Sequence, residues 1–436
     1  MTDTHSLRDW TLPMVAVLVT HLLFLMWVKP APISADAGFY HLAAERIADG
    51  LGYTGKTPHT SFMPGYPIFV GAIYWAAGKH PWLIRAVQII LLAVSAGLLA
   101  LTAERLTNHR TARVAFFLLG FFPAWFIYPG TLNAETLLLV LEVLYLWTIA
   151  RPVRLLSETK LLGWAAASGG VAGLLALVKP EFSLWLPAAC IVALGQSLPW
   201  QKVARIGAVS ALAFCVVLAP WVVRNARAFH RFIPFSTKVG AALWISGHRP
   251  EITEFQDPGF LRELARCEAA SDPKQTDECM RADATKAIAS HPLYFVLTSA
   301  RRIGHTLIGS HTEYLNGFGI SFGEAFRTRQ AGVFAGKLIL LLLNLVFVSM
   351  GMIGVVWMAR RRRFWFVAYL VGAKLAIHGV LFGTPRYGLH LSPLFALAGA
   401  SLAVAVLNGS LRPGPSSSSL AADGKLLTSE VRSREA

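Results

Sequence analysis

The chain has 436 residues, of which 55% are hydrophobic and only 15% are charged. Soluble globular domains contain about 25% charged residues, and disordered chains are more polar still, so the composition excludes disorder and argues against a soluble enzyme. The 40 Lys and Arg residues outnumber the 24 Asp and Glu residues, for a net charge of +16. In so apolar a chain this excess is typical of cytoplasmic loops in a polytopic membrane protein and is no argument for nucleic-acid binding.

Ten segments are long and apolar enough to cross a bilayer, whose hydrocarbon core takes about 20 residues of α-helix. The first follows an N-terminus without a small-residue cleavage site, so we predict a retained span and no removable signal peptide. Together they predict an all-α polytopic membrane protein with about ten transmembrane helices. The segments cover residues 11–28, 83–101, 112–129, 134–150, 161–178, 182–198, 205–223, 335–358, 364–382 and 390–408.

Basic residues fall in every second connection between these segments, and the run Arg360–Arg363 lies in one such connection, between the eighth and ninth. Because Lys and Arg collect in cytoplasmic loops, both termini are predicted to be cytoplasmic. The other connections then face outward. They include the two long ones, residues 29–82 and 224–334.

The spans and connections divide the chain into four regions. Helical patterns within the long outer loops, at 36–49, 66–77 and 292–310, are too short or too interrupted by charge to span, which predicts interfacial helices. The regions are an N-terminal transmembrane bundle over 1–223 with its outer loop at 29–82, a periplasmic loop region over 224–334, C-terminal transmembrane helices over 335–408, and a flexible cytoplasmic tail over 409–436.

Two acidic residues begin predicted helices on the outer side. Asp36 follows a candidate N-cap, Ser34, and Glu135 follows another, Asn133. An acid in the first turn is stabilised by the helix dipole, which is a sufficient structural reason for either residue. The functional interpretation is a carboxylate at the outer face that takes a proton from an acceptor hydroxyl. The two interpretations are compatible, because a helix terminus holds a side chain rigidly.

Several cations are predicted on the same side. Arg224 ends the seventh span, and Arg386 with Tyr387 lies in a short outer loop. Such residues often extend along the membrane surface toward lipid headgroups, but an Arg fork also binds phosphate through two parallel hydrogen bonds. Lys56, Lys179 and Lys238 are weaker candidates of the same kind.

Three charged residues, Arg85, Glu142 and Lys374, fall within predicted spans. A charge inside the membrane is costly, so each is expected to pair with another group or to line a cavity.

The four cysteines divide by predicted location. Cys190 and Cys215 fall inside spans, whereas Cys267 and Cys279 fall in the long outer loop. Because compartments outside the cytoplasm oxidise thiols, we predict a disulfide between Cys267 and Cys279.

An outer acid, several outer cations and interfacial helices suit a substrate with a phosphate head and a long lipid tail. The chain resembles the GT-C-fold glycosyltransferases that include protein O-mannosyltransferases and the bacterial aminoarabinose transferase acting on lipid A. Four stretches carry the resemblance in order: Asp36 and Tyr40 with Pro64–Pro67; Asn133–Leu137; Pro220–His248; and Ala289–Phe295 with Pro385–Tyr387.

The resemblance implies transfer of a sugar, with inversion, from a polyprenyl-phosphate donor to a lipid, glycan or protein acceptor. It implies a multi-pass protein of the bacterial inner membrane whose active site faces the periplasm or the cell exterior. Asp36 would be the catalytic carboxylate and Glu135 the second acid. Arg224 would meet the donor phosphate, and Arg386 with Tyr387 would line the donor side.

One departure from the family pattern concerns metal ions. Many relatives have two adjacent acids in the first loop, whereas Ala37 follows Asp36 here. The sequence therefore names no metal ligand and no certain cofactor, and it leaves a divalent ion open.

Two other functions compete with this one. A flippase or transporter of lipid-linked saccharides would use the three intramembrane charges along its path. An O-antigen ligase or polymerase would place its decisive residues in the late outer loop, at Arg301, Arg302 and His305.

Overall fold

The computed structural model describes residues 7–28, 33, 35–53, 60–248, 258–268, 273–315 and 317–409. Over these residues the chain is helical, without a β-strand. The tail from 410 onward, Ser34 and Lys56 lie outside the described residues, so the predictions made for them concern parts of the chain that the structure does not describe.

Nineteen α-helices follow one another along the described chain. They are α1 Thr11–Trp27, α2 Ala35–Ala48, α3 Gly65–Ala77, α4 Pro81–Leu106, α5 His109–Gly120, α6 Pro123–Ile127, α7 Glu135–Ile149, α8 Glu158–Val178, α9 Ala188–Gly195, α10 Trp200–Phe229, α11 Val239–His248, α12 Pro258–Glu268, α13 Pro273–Ser290, α14 Pro292–Leu307, α15 Phe322–Arg327, α16 Ala331–Ala359, α17 Trp365–Val380, α18 Pro385–Gly388 and α19 Ser392–Leu407.

The all-α polytopic prediction is confirmed. Six helical stretches of the described chain are long and apolar enough to span a membrane by length and composition, or seven if a pair bent by 49° before Pro123 counts as one. They are Arg8–Trp27, Pro81–Leu106, Glu158–Val178, Trp200–Phe229, Ala331–Ala359 and Pro385–Leu407, with the bent pair His109–Gly120 and Pro123–Gly130.

The other three predicted spans are helical but shorter. α7 has 15 residues because an irregular segment precedes Glu135, and α17 has 16. The stretch Pro180–Gly195 divides into a 3-10 helix and α9 at Pro187, where the missing N–H of proline removes a helical hydrogen bond. Apolar runs therefore located these helices, but they did not reveal where each one breaks.

The spanning helices present apolar side chains outward. On α10, Leu212 and Val216 are 67% and 63% exposed, and on α16, Val346 is 68% exposed. Large aliphatic side chains exposed in rows along helices are typical of a surface that faces lipid. The core behind them is formed mainly by α4, α5, α7, α8 and α19.

The predicted interfacial segments form helices too short to span: α2, α3 and α14. Between α10 and α14, the helices α11, α12 and α13 enclose a separate small core that includes Trp244, Phe260 and Met280. Cys267 and Cys279 form a disulfide in this unit, with Cα atoms 5.7 Å apart. The unit therefore has its own packing and its own covalent link.

Candidate functional site

Five side chains that the sequence analysis singled out meet at one end of the helical bundle. We call them the Asp36 cluster: Asp36, Glu135, Lys179, Arg386 and Tyr387. Arg386 is at the centre, because its Nη1 donates to Oδ2 of Asp36 at 3.1 Å and its Nε donates to Oε1 of Glu135 at 2.5 Å. One guanidinium thus bridges an acid from α2 and an acid from α7.

Lys179 joins the cluster through the same carboxylate oxygen. Its Nζ donates to Oε1 of Glu135 at 3.3 Å and lies 4.7 Å from the ring centroid of Tyr387. Lys179 and Arg386 therefore converge on one oxygen atom, which brings two permanent donors side by side.

The two acids of the cluster differ in exposure. The Asp36 side chain is 39% exposed, whereas that of Glu135 is fully buried. The side chains of Arg386 and Lys179 are 13% and 11% exposed. A molecule arriving from solvent can therefore touch Asp36 and reach the edges of both cations, but it cannot reach Glu135 without displacing them. Glu135 therefore holds the cations from the inside, and Asp36 is the acid of the pair that solvent reaches.

A second, wholly buried layer supports Lys179. Its Nζ lies 3.2 Å from Nε2 of His390, and Nδ1 of His390 lies 2.8 Å from Oε1 of Glu142. Because an ammonium group can only donate, Nε2 of His390 accepts from Lys179, which leaves the ring proton on Nδ1, the nitrogen nearest to Glu142. The imidazole of His390 thus lies between Glu142 and Lys179 and contacts both.

The other intramembrane charges also have partners. Lys374 donates to Glu181 and its side chain is 2% exposed. Nε of Arg85 donates to the carbonyl oxygen of Gly130 at 2.9 Å. These contacts agree with the expectation that charged residues within the predicted spans pair with other groups.

The position of Glu135 depends on the segment before α7, whose carbonyl groups are bound by α4. Besides the bond from Arg85, Nε2 of Gln88 donates to the carbonyls of Pro129 and Thr131 at 2.9 and 2.7 Å. Buried carbonyl groups outside a helix require such donors, so these polar residues of α4 have a structural role. They fix the point at which α7 begins, and thereby Glu135.

Arg386 is positioned by a close approach between α18 and α14. A Cβ atom added to Gly388 would lie 1.7 Å from the carbonyl oxygen of Thr306, and one added to Gly383 would lie 2.4 Å from that of Arg302. The segment that carries Arg386 can therefore rest on the α14 backbone only because both positions are glycine.

Arg302 of α14 makes contacts that hold neighbouring helices together. Its guanidinium donates to the carbonyl oxygens of Gly379 at 2.8 Å and Ser246 at 3.1 Å, and so ties α14 to α17 and α11. Burial lowers the pKa of Arg302 to about 10, so it stays charged at neutral pH. Its neighbour Arg301 and His305 are exposed on the same helix. These contacts explain Arg302 without a substrate.

Lys238 adds a third cation beside the cluster. Its Nζ lies 3.4 Å from the ring centroid of Phe62. Burial lowers the pKa of Lys238 to about 8; the negative charge of Asp36 opposes this shift and the positive charge of Arg386 adds to it. Lys238 is therefore within electrostatic reach of both residues, and its charge changes close to neutral pH.

Arg224 lies in the C-terminal part of α10. It donates to Oδ1 of Asn225 at 2.9 Å and lies over the rings of Tyr53 and Trp221 at 5.7 and 5.2 Å. The described contacts of Arg386 and Glu135 do not include it. Its predicted role at the donor phosphate stays a prediction.

Two contact residues were missed by sequence reasoning. The hydroxyl of Tyr314 accepts a hydrogen bond from Nη1 of Arg386 at 3.1 Å, and burial raises the pKa of Tyr314 to about 12, so it stays protonated. His390 was also missed. The sequence carried a partial signal for His390, since an unpaired Glu142 inside a span implied an unidentified polar partner. Nothing in the sequence pointed to Tyr314.

The cluster does not fit a resident divalent ion. Asp36 is its one exposed carboxylate, and both acids already face the guanidinium of Arg386. In the part of the chain that the structure describes, the group of three candidate metal ligands is Glu263 with Cys267 and Cys279, whose sulfurs are joined to each other. Oxidised sulfur is not a thiolate ligand, so this group does not form a metal site either.

Residues 59–223 match a family model described as dolichyl-phosphate-mannose-protein mannosyltransferase. The chain also superposes on the oligosaccharyltransferase of Archaeoglobus fulgidus. The structure of that enzyme with a tethered acceptor peptide covers 93% of this chain, with a TM-score of 0.52 and 11% sequence identity. The structure with an inhibitory peptide and a dolichol-phosphate covers 95% of this chain, with a TM-score of 0.51 and 14% sequence identity. The chain has the GT-C fold.

The resemblance inferred from the sequence is thereby confirmed for the fold. This GT-C chain spans about half of the archaeal enzyme, covering 52% and 54% of the two structures. It also matches 77% of the aminoarabinose transferase ArnT from Cupriavidus metallidurans bound to undecaprenyl phosphate, with 90% of this chain covered, a TM-score of 0.43 and 16% identity. No curated protein sequence matches it significantly.

Proposed function

We propose that this protein is an integral membrane glycosyltransferase that moves a sugar from a polyprenyl-phosphate donor to an acceptor hydroxyl. The observation that carries the proposal is the Asp36 cluster: an exposed carboxylate held next to two largely buried cations on a shared buried acid. The fold and the family model over 59–223 support it, as does the lipid phosphate in one matching structure.

In the proposed reaction Asp36 removes the proton from the acceptor hydroxyl while that oxygen attacks the anomeric carbon of the donor. The bond between the anomeric carbon and the phosphate oxygen breaks, and its electron pair leaves with the lipid phosphate. Attack from the face opposite the leaving group inverts the anomeric centre. The sugar gains oxocarbenium character in the transition state, as in glycoside hydrolysis.

The leaving phosphate gains negative charge during this step, and fixed cations stabilise that change. Arg386 and Lys179 present N–H groups at the inner side of the site, and Lys238 adds a third positive charge within electrostatic reach of Asp36. Donors already held in place need little rearrangement as the charge develops. Tyr387 and Tyr314 would form the walls beside them, and Lys56 and Arg224 stay further candidates for the lipid-phosphate path.

The structure gives the rival functions less support. The intramembrane charges that a flippase would need along its path are paired in the interior, with Glu142 and Lys374 0% and 2% exposed. Arg302 is engaged by backbone carbonyls. From the alternation of basic connections and the resemblance to the family we also propose that the site faces the periplasm of a bacterial inner membrane, with a lipid, glycan or protein as acceptor.

A transfer assay tests the function directly. Purified protein in detergent would be incubated with labelled polyprenyl-phosphate sugars and membrane extract. We expect free polyprenyl phosphate and label in a new acceptor, with the anomeric configuration inverted by NMR. In a parallel experiment the protein would be reconstituted into liposomes. Movement of intact donor across their membrane without bond cleavage would instead establish a transporter.

The titration of Lys238 predicts a pH dependence of donor affinity. With the pKa near 8, about nine tenths of Lys238 is charged at pH 7 and about one tenth at pH 9, so the donor KM should rise across this interval. Lys238→Gln should have a raised KM at pH 7 and little further change up to pH 9. The control Lys79→Gln removes an exposed Lys paired with Asp49 and should retain the wild-type profile. If the dependence of the donor KM on pH were the same in Lys238→Gln as in wild type, Lys238 would not take part in donor binding.

Removal of divalent ions should leave activity intact, because the cluster supplies its positive charge from Arg386 and Lys179. We expect the transfer rate in roughly 10 mM EDTA to stay within about twofold of the untreated rate. Loss of a catalytic group would lower the rate far more, by about 10²–10⁴-fold. Added Mg²⁺, Mn²⁺ or Zn²⁺ should then restore nothing. A loss of more than tenfold that is reversed by one ion would show that a metal takes part.

A further inference from the structure

A second site lies at the other end of the span that carries Arg386. A cavity of about 330 Å³ opens beside Asn108, Arg361, Arg363, Ser401 and Asn408. Asn408 is 22 positions after Arg386, and a helix rises about 1.5 Å per residue, so the cavity lies roughly 30 Å from the Asp36 cluster, about the thickness of a bilayer core.

The depth of this cavity in the membrane follows from the helices around it. Three candidate spans end beside it: Pro81–Leu106, Ala331–Ala359 and Pro385–Leu407. Its lining comes from the last two turns of α16 and α19, from the residues that follow α4, α16 and α19, and from the first turn of α5. Its mouth is therefore at the level where phospholipid headgroups lie, whichever side of the membrane that is.

The charged side chains that line the cavity are basic. Arg361 and Arg363 contribute two guanidinium groups, and no carboxylate lines the cavity in the part of the chain that the structure describes. Burial lowers the pKa of Arg363, and the positive charge of Arg361 adds to that shift, so the two groups repel each other. An anion between them would relieve this repulsion.

Both guanidinium groups are held by aromatic rings. Arg361 lies over Trp357 at 5.7 Å, and Arg363 lies over Phe364 at 4.5 Å. Stacking of this kind stabilises the position of an Arg side chain while its N–H groups stay able to donate. A third guanidinium is adjacent, since Arg110 donates to Oδ1 of Asn408 at 3.0 Å.

The remaining polar groups of the lining favour a ligand with hydroxyl groups. The hydroxyls of Thr107 and Ser401 donate to the carbonyls of Ala103 and Leu397 at 2.6 and 2.7 Å. Because each hydroxyl proton is used in that bond, the oxygen can take part in a further hydrogen bond only as an acceptor. A ligand that satisfies the whole lining combines an anionic phosphodiester for the guanidinium groups with hydroxyl donors for these oxygens.

We propose that this cavity, which we call the Arg361 pocket, binds the headgroup of an anionic phospholipid of the phosphatidylglycerol type. Basic pockets between membrane helices are a known means of binding anionic lipid headgroups. The proposal is independent of the glycosyltransferase function. In this proposal Arg361 and Arg363 bind a lipid, in addition to contributing to the orientation of the protein in the membrane.

The test uses the neighbouring arginines as a matched control. Protein purified in mild detergent would be supplied with equal amounts of phosphatidylglycerol and phosphatidylcholine, and retained lipid would be counted by native mass spectrometry. Wild type and Arg360→Gln with Arg362→Gln should retain phosphatidylglycerol. Arg361→Gln with Arg363→Gln removes the same charge and should retain at least fivefold less.

A second variant keeps the charge and fills the space. Ser401→Leu should also lose phosphatidylglycerol if the pocket is the site, and the thermal unfolding midpoint shows whether each variant is folded. Equal losses in the two double variants would reduce the effect to general surface charge and overturn the proposal. So would displacement of the bound lipid by millimolar inorganic phosphate, which would show a site for a small free anion.

Discussion

Asp36→Asn is expected to lower the transfer rate by about 10²–10⁴-fold, the usual effect of removing a general base. The amide keeps the size of the carboxylate, and its oxygen can still accept the bond that Arg386 now donates at 3.1 Å, so the cluster should stay assembled. The change removes one negative charge beside the proposed phosphate. Donor affinity should therefore be unchanged or somewhat higher, and the loss should fall on kcat.

Asp49→Asn is the matched control for this variant. Asp49 directly follows the same helix, α2, and is 44% exposed with Lys79 as its partner, so its substitution changes the same charge at a comparable exposure. Transfer in this control should stay within about twofold of wild type, since exposed ion pairs contribute little. If purified Asp36→Asn transferred sugar at a rate near wild type, Asp36 would not be the base.

Asp36, Glu135 and Arg386 could be identified from the sequence because each is a polar residue at a helix end on one predicted side of the membrane. Charge alternation between the spans placed Asp36 and Arg386 in outer connections and Glu135 at the outer end of the fourth span. Their mutual distances could not be predicted, because α2, α7 and α18 come from distant parts of the chain. The contact of Arg386 with both acids depends on α18 resting on α14, which a sequence pattern does not reveal.

Lys179 shows a different limit of sequence reasoning. Its position after the fifth predicted span indicated an outer cation, and the structure places it against Glu135 and His390 in the interior of the cluster. Hydropathy along the chain measures how apolar a segment is, but it does not say which neighbour a residue at its end will face. The same limit applies to α7 and α17, where apolar runs of span length contain shorter helices.

Replacing Arg386 with Gln is expected to destabilise the protein by about 3–5 kcal/mol, because removing one partner of a buried ion pair leaves the other charge poorly compensated. Glu135 would then be fully buried with Lys179 as its remaining described cation, 3.3 Å away. The expected readout is a lower midpoint of thermal unfolding in detergent. Lys79→Gln breaks an exposed pair and should lower the midpoint far less, since such pairs contribute about 0–1 kcal/mol.

The double variant Arg386→Gln with Glu135→Gln separates stability from catalysis. Removing the buried acid as well eliminates the uncompensated carboxylate but leaves Lys179 with Nε2 of His390, 3.2 Å away, as its described partner. The unfolding midpoint should therefore recover part of the loss. Transfer should not recover, because the leaving phosphate still lacks the guanidinium that stabilises its growing charge. If activity returned together with stability, Arg386 would be a structural partner of Glu135 and the donor phosphate would be bound elsewhere, with Arg224 as the next residue to test.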